Sequence, residues 1–171
     1  MKLQDKFNLK GEFTITRRKV PSWLISFEEM GMNDFVKHFS KIISIHSYQN
    51  LICNTGRYTI LDRMAQDTTQ TGYLTYLALG SDDTAANAAD TTLGTETFRK
   101  LLTSGVRNGS ICETSTYLST LEADGTYKEL GLFGDDATGV ADSGTIYTHQ
   151  IIDETKNVGE SLTIDYNITF N

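Results

Sequence analysis

The strict alternation at the end of the chain constrains its fold more than any other feature. In "SLTIDYNITF" (161–170) apolar residues occupy every second position, and polar residues fill the positions between them. A strand has a period of two residues, so this pattern predicts a strand with one face toward a core. The residues expected on the core face are Leu162, Ile164, Tyr166, Ile168 and Phe170.

Other apolar runs of similar length recur along the chain, and turn residues separate them. Asn108-Gly109 and Asp124-Gly125 are typical hairpin turns, and "YLTYLALG" predicts a strand that is buried on both faces. Several short strands with a turn signal at each junction predict a mainly β fold, an antiparallel sandwich of the immunoglobulin-like or jelly-roll-like type. The predicted strands are "KGEFTIT" (10–16), "YLTYLALG" (73–80), "GSICETSTYL" (109–118), "TYKELGLF" (126–133), "GTIYTHQII" (144–152) and the terminal segment.

Two segments favour short helices within this β framework. "NDFVKHFSKII" (33–43) repeats apolar residues at helical spacing, with Asn33 as the expected N-cap, and "NTGRYTILDRMAQ" (54–66) does the same. The intervening "SIHSYQNLIC" is strand-like, and the single proline, Pro21, should end the first strand. The apolar helix faces are Phe35, Val36, Phe39, Ile42 and Ile43 in the first segment and Tyr58, Leu61, Met64 and Ala65 in the second.

Length and charge indicate one domain with two electrically different parts. The 171 residues suit one domain, in which 1–47 form a strand plus a helical insertion and 48–171 form the sandwich body. Residues 1–63 hold ten Lys/Arg against six Asp/Glu, whereas 64–171 hold five against sixteen. An acidic body is a poor partner for nucleic acid. The chain also lacks an apolar run long enough for a membrane helix and an evident signal peptide, so we expect synthesis in a cytoplasm and no membrane partner.

The loop after "YLTYLALG" is the first place to look for a ligand site. Its two glycines, Gly80 and Gly94, are too far apart for a phosphate loop, and no Gly-Lys-Ser/Thr follows. The oxygen-bearing residues of the loop do not follow the alternating ligand pattern of a calcium-binding EF-hand. We therefore predict no cofactor at this loop. The residues considered as cation ligands are Asp82, Asp83, Asn87 and Asp90.

No residue pattern predicts catalysis. The histidines, His38, His46 and His149, are not in His-x-His or His-Glu-x-x-His spacing, so a metal site is not expected. The two cysteines, Cys53 and Cys112, form no Cys-x-x-Cys pair and are expected to be reduced thiols. Serines lack the nucleophile-elbow motif, and most of the many carboxylates should be solvated. The sequence therefore predicts a protein that is not an enzyme, with no catalytic, cofactor-binding or metal-binding residues.

Four segments in order resemble a known family. These are "QNLICNTGRYTILDRM", "YLTYLALGSDDTAANAADTTLGTETFRK", "EADGTYKELGLF" and "SLTIDYNITF". The second resembles the family's stretch in which a "YIALG" strand leads to a small-residue loop, a "TALG" turn and an Arg-Lys pair. The resemblance covers 48–171, with "GEFTIT" at the front, and points to tailed-bacteriophage virion proteins of the tail and tail-fibre type. Residues 17–47 depart from it, since the family has a short hairpin there and this chain has Pro21, Trp23 and a helical stretch.

The resemblance implies a structural component of a phage particle, in the tail, baseplate or fibre-attachment region, that contacts copies of itself and other virion proteins. It also implies location in the virion after synthesis in the bacterial host. One alternative is a capsid-surface or decoration protein with the same sandwich. Another is a module that binds host glycans, for which an exposed aromatic platform is needed. Its candidate residues are Tyr73, Tyr76, Tyr117, Tyr127 and Tyr147.

The divergent segment is the predicted assembly element. It combines aromatic side chains with the basic part of an otherwise acidic chain, and aromatic residues are frequent anchors of subunit interfaces. A basic element of one subunit would also attract the acidic body of the next. Either the protomer's own sandwich or a neighbouring subunit can cover the apolar face of this segment. For the second case we predict an oligomer with inter-subunit contacts through Trp23, Phe27, Phe35 and Phe39.

Overall fold

The computed structural model describes residues 9–65 and 73–170, except the side chains of residues 63 and 64. Nine strands account for most of these residues, and each predicted strand is present. Two further strands, which the sequence analysis did not identify, follow the loop after "YLTYLALG". The strands are β1 Leu9–Lys19, β2 Lys41–Ile52, β3 Leu74–Gly80, β4 Glu96–Leu101, β5 Ser104–Asn108, β6 Ile111–Leu118, β7 Gly125–Gly134, β8 Thr145–Lys156 and β9 Glu160–Phe170.

All nine strands belong to one curled antiparallel sheet in the order β4-β3-β7-β8-β2-β1-β9-β6-β5. The prediction of a mainly β, antiparallel fold is therefore confirmed. Strand β2 pairs with β1 along its length but with β8 only at Leu51 and Ile52, so the sheet opens between these strands. We call β2, β1, β9, β6 and β5 the β9 arm, and β8, β7, β3 and β4 the β7 arm.

The main core lies inside the curl and takes side chains from both arms. Phe13 stacks on Tyr166 with ring centroids 4.4 Å apart, and Leu77 and Leu130 join from the β7 arm. The terminal strand contributes as predicted, because Leu162, Ile164, Tyr166 and Ile168 are buried and Phe170 packs partly against them. The alternation of β9 thus determines which face of the β9 arm is turned inward.

The two outermost strands are consecutive in the chain. Strand β4 ends at Leu101 and β5 begins at Ser104, so two residues carry the chain from one edge of the sheet to the other. The amide of Leu102 donates to Thr75 in the β7 arm and that of Thr103 to Ser115 in the β9 arm. This short connection holds the free edges of the curl close to each other.

Three short helices, α1 Ile25–Glu29, α2 Asn33–Phe39 and α3 Asn54–Ala65, accompany the sheet, and a 3-10 turn at Ser22–Leu24 precedes α1. The predicted helix over 33–43 is wrong at both ends. Asn33 is the first helical residue, after Met32 as N-cap, and Ile42 and Ile43 lie in β2. Stiff β-branched side chains in the run 42–45 favour extended backbone, and pairing with β1 fixes it there. Among the described helices none has the length and apolar character to cross a membrane.

Helix α3 forms where it was predicted, but its apolar residues do not face a core. Tyr58 and Leu61 are each more than half exposed, and the Met64 side chain lies outside the described part of the structure. The buried side of α3 instead carries Gly56 and Thr59. A side chain at position 56 would collide with the Tyr147 backbone, so α3 lies directly on β8 through a residue that has no side chain.

Candidate functional site

The four aromatic residues predicted as an interface form one continuous cluster. Phe27 and Phe35 have ring centroids 5.1 Å apart, and Phe35 and Phe39 are 4.7 Å apart. Trp23 is 6.4 Å from both Phe27 and Phe39. The turn between α1 and α2 folds the two helices against each other, which brings together residues from both ends of the segment. We call these four residues the aromatic cluster and residues 20–40 the helical insert.

The helical insert is apolar on both sides. Val20, Leu24 and Val36 form a small buried core, against which Phe27 and Phe35 pack partly. Outside it, Trp23 is 57% exposed and Phe39 51% exposed. Large aromatic side chains seldom stand half in water in a group, and such patches mark interaction sites. The surface therefore combines buried support with exposed aromatic edges.

A buried carboxylate attaches the insert to the sheet. Glu28, in α1, is 5% exposed and accepts hydrogen bonds from the Tyr117 hydroxyl at 2.6 Å and the Thr120 amide at 3.1 Å. Tyr117 pairs with Thr163, which lies on the face of β9 opposite the core residues, so the insert covers the outer face of the β9 arm. Burial and the Glu28 carboxylate raise the pKa of Tyr117, which keeps its hydroxyl protonated as a donor.

Exposed aliphatic residues continue the surface into β2. Ile42 and Ile45 are 49% and 56% exposed, and both lie in the first half of β2, which begins shortly after α2 ends. Thr16, the partner of Ile45, lies on the outer face of β1, so the Ile45 side chain points the same way as the insert. Met30, at the turn between α1 and α2, is 64% exposed. The exposed apolar surface thus includes Met30, between the two helices, and extends beyond the aromatic cluster into β2.

A second cover lies on the outer face of the β7 arm. Residues 81–95, which we call the cover loop, bury Leu93 against Ala78 and Phe133, in a small core that includes Cys53. Glu129 of β7 is fully buried beneath the loop. Its carboxylate accepts the amide hydrogens of Gly94 at 2.8 Å and Thr95 at 2.7 Å. The sheet therefore holds the loop by its backbone, and a pocket of about 320 Å³ with polar and apolar lining, open to solvent, remains between them.

His149 completes this attachment. Its Nδ1 lies 2.6 Å from Oδ2 of Asp90 in the loop, and its Nε2 lies 3.1 Å from Oε2 of Glu129. The imidazole is 4% exposed. It pairs across the strands with Gly131, so it shares the outer face with Glu129. One side chain thus links the loop to the buried carboxylate of the sheet.

The loop residues considered as cation ligands serve the turns of the loop itself. Asp82 accepts the Thr84 amide at 2.7 Å, and hydrogen bonds from Thr84 lower the pKa of Asp82. Asp90 accepts the Asn87 amide at 2.8 Å in addition to the His149 contact. Asn87 in turn accepts the Ala89 amide at 2.9 Å. Within the described residues, no group of three His, Cys, Asp or Glu side chains is arranged to hold a metal ion.

The Arg-Lys pair that follows the loop also has structural partners. Arg99 donates through two nitrogens to the two oxygens of Glu96, each at 2.7 Å, and lies 4.3 Å from the Phe133 ring centroid. It also donates to the Ser143 carbonyl at 2.8 Å, which fixes residues 135–144. Lys100 bonds to Glu122. The Arg-Lys pair that is conspicuous in the sequence therefore stabilises the contacts between β4 and neighbouring loops.

The sequence analysis identified the aromatic residues but not their buried partners. No role was predicted for Glu28, Glu129 or His149. The local sequence pattern shows only a charged residue inside an apolar run, such as the glutamate of "KELGLF". Of the five tyrosines considered for a glycan platform, Tyr117, Tyr127 and Tyr147 are buried. Tyr76 is half-buried and Tyr73 is 75% exposed. Both cysteines are free thiols, and burial raises the pKa of Cys53 to about 11.

Comparison with known proteins adds no relative. No protein-family model matches the chain, and neither a curated protein nor a solved structure is similar to it at a significant level. Function is therefore inferred from the geometry of the two outer faces and from the segments described in the sequence analysis.

Proposed function

We propose that this protein is a non-enzymatic structural component of a tailed-bacteriophage virion, in the tail, baseplate or fibre-attachment region. It acts by subunit contacts, and the aromatic cluster is the contact surface toward a second copy of the chain. The observation that carries the proposal is the half-exposed pair Trp23 and Phe39 on a firmly attached support. The protein would be made in the host cytoplasm and reside in the virion.

Rigid presentation favours a contact surface over a loose appendage. The insert has its own buried core, and Glu28 fastens it to β6 and to the loop after β6. A preorganised aromatic surface loses little conformational entropy on association. Trp and Phe in a central patch with aliphatic residues around them match the composition of subunit interfaces.

The position of the insert agrees with the family resemblance. The resembling segments form the end of β2 with α3, the β3-loop-β4 unit, β7 and β9, which together build much of the curled sheet. The insert is the part that departs from the family pattern, and it is added to the outer face without entering the main core. A shared framework with a variable contact element suits a virion protein whose neighbours differ between particles.

We also propose that the two arms act as the layers of a flattened sandwich. The narrow β2-β8 junction and the single buried cluster drawn from both arms support this arrangement. The charge-guided contact expected from the sequence has less support. Arg17 donates to the Thr155 carbonyl at 2.5 Å, and Arg18 donates to Thr163 at 3.0 Å, so these cations already have partners within the protomer.

The test is the concentration dependence of assembly, measured by sedimentation velocity. We expect the wild-type chain to associate and the double variant Trp23→Ser/Phe39→Ser to remain monomeric with an unchanged β-sheet spectrum. Tyr73→Ser is the matched control, because Tyr73 is an exposed aromatic residue outside the insert. A wild-type chain that stays monomeric, or equal effects of the two changes, would show that the cluster is not a subunit contact.

The virion assignment has its own test. Mass spectrometry of purified phage particles from the source host should detect the chain in a fixed ratio to other particle proteins. A chain found only in the soluble fraction of the lysate would exclude the virion role, whatever the oligomeric state of the isolated protein.

A further inference from the structure

The buried His149 has a carboxylate at each ring nitrogen, one from the cover loop and one from the sheet. We propose that His149 is a pH-sensitive latch, which holds the cover loop on the β7 arm when its ring is protonated and releases the loop when the ring becomes neutral. This inference is independent of the proposed virion role. It rests on the contacts of His149, Asp90 and Glu129.

The number of N–H donors on the His149 ring determines the protonation state in which both contacts are favourable. An ionised carboxylate only accepts hydrogen bonds, so both ring nitrogens must donate when Asp90 and Glu129 are ionised. Only the imidazolium ion has two N–H groups. A neutral ring keeps one of them, and its other nitrogen then presents a lone pair to a carboxylate oxygen.

The Asp90 contact is the one expected to break. The Glu129 side chain is 1% exposed and lies under three loop amides, so it cannot reach water while the loop is in place. The Asp90 side chain is 28% exposed and belongs to the loop, so it can turn outward into solvent. A neutral His149 would then donate to Glu129 alone, and residues 84–92 would lose their side-chain attachment to the sheet. The Ala88 carbonyl would keep its hydrogen bond from the Asn54 amide at 2.8 Å, so the stretch would open around that one point.

Other charged groups near the ring do not replace the missing proton. Asp82 is a third carboxylate on the same loop and interacts electrostatically with His149. The Cys53 thiol lies on the α3 side, where the His149 backbone bonds to it, and Arg57 of α3 interacts electrostatically with that thiol. Once the ring is neutral, it no longer offsets the charge of the three carboxylates, and the Arg57 cation interacts with the Cys53 thiol. The remaining repulsion between the carboxylates opposes closure.

Amide hydrogen exchange of the full-length wild-type protein, measured from about pH 5 to about pH 9, follows opening across the range where imidazole groups titrate. Rates are corrected for the intrinsic pH dependence of exchange. We expect protection of residues 84–92 to fall roughly tenfold or more as the His149 ring deprotonates, because a charged hydrogen bond is lost. Protection of β9 should stay constant. The ring itself is followed by its NMR carbon shift.

Two substitutions on the loop separate the latch from general charge effects. Asp90→Asn removes the anion that pairs with the ring, so the loop should exchange quickly at every pH. Asp83→Asn is the matched control, because Asp83 is exposed on the same loop and bonds to neither His149 nor Glu129. This control should keep the wild-type pH profile. His149→Gln should also abolish the pH dependence of exchange in residues 84–92. If that variant does not fold, the exchange of Asp90→Asn tests the proposal by itself.

Three results would overturn the proposal. The first is protection of residues 84–92 that does not change across the pH range in the wild-type chain. The second is a pH profile that persists in Asp90→Asn. The third is an opening midpoint that differs from the midpoint of the His149 carbon shift.

Discussion

The helical insert and the cover loop both cover an outer face of the sheet, but they are attached to it in different ways. Each lies on the outer face of one arm, and each is held by a buried glutamate that accepts backbone and side-chain hydrogens. In the insert the glutamate belongs to the cover, whereas beneath the loop it belongs to the sheet. The loop closes over its apolar residues, but the insert keeps Trp23 and Phe39 half exposed.

This difference indicates that the apolar contacts of the cover loop are made within the protomer, whereas the insert leaves apolar surface for a partner. The cover loop uses Ala, Thr and Asp, and Leu93 is its large apolar contact with the sheet. The insert carries more large apolar side chains than its small core can enclose. Apolar area that stays in water in one protomer is available for burial against another.

The largest effect should come from the anchor of the cover loop. Glu129→Ala removes a fully buried carboxylate and leaves His149 and three loop amides without their acceptor. We expect the free energy of unfolding to fall by about 3–5 kcal/mol. Urea denaturation measures it, with Glu12→Ala on the exposed face of β1 as the control. A loss similar to that of Glu12→Ala would show that the loop is not fastened by Glu129.

A second comparison is made within the insert. Leu24 is fully buried and Trp23, its neighbour, is 57% exposed. Leu24→Ala should lower the free energy of unfolding by about 2–5 kcal/mol. Trp23→Ala should lower it by about 1 kcal/mol or less, because the indole contacts few buried groups. Thermal unfolding at low protein concentration measures both changes. Equal losses would place Trp23 in the protomer's own core and remove it from the proposed interface.

The anchor of the insert should give a smaller effect that is confined to one region. Glu28→Gln keeps the size of the side chain but removes the charge that accepts from Tyr117 and Thr120. We expect a loss of about 2 kcal/mol. Trp23 is the single tryptophan, so its fluorescence reports the insert alone. A fluorescence transition that precedes loss of the β-sheet signal is expected, and a single shared transition would mean that insert and sheet unfold as one unit.

The smallest effect concerns thiol reactivity and leaves stability unchanged. Cys53 is fully buried beneath the cover loop, and burial raises its pKa to about 11, so its thiolate forms only as the pH approaches that value. Cys112 is partly exposed in β6. Alkylation with a maleimide at about pH 6, toward the acidic side where the proposed latch holds the loop, should therefore modify Cys112 well before Cys53, as read by peptide mass spectrometry. Faster modification of Cys53 would mean that the cover loop is open in solution.

The sequence by itself determined several of the strands and the inward face of β9, but not β4 and β5. The alternation of 161–170 requires one apolar face, and the two-sided apolar run 73–80 requires cover on both sides, so β9 and β3 could be predicted from local pattern. The aromatic residues of the insert were also recognisable from composition. Their exposure could not be recognised in this way. The sequence pattern of a short apolar helix is the same whether its own protomer or a neighbouring subunit covers it.

Only the tertiary structure decided the register and the buried polar contacts. Ile42 and Ile43 satisfy a helical spacing as well as a strand, and the pairing of β2 with β1 settled the choice. Glu129 and His149 are twenty residues apart, and Asp90 is fifty-nine residues from His149, so no local pattern could join them. Antiparallel pairing of β7 with β8 sets the first two side by side, and loop closure brings the third. Burial then requires a partner for the Glu129 carboxylate, which His149 and the loop amides supply, since an unpaired charge in the interior is costly.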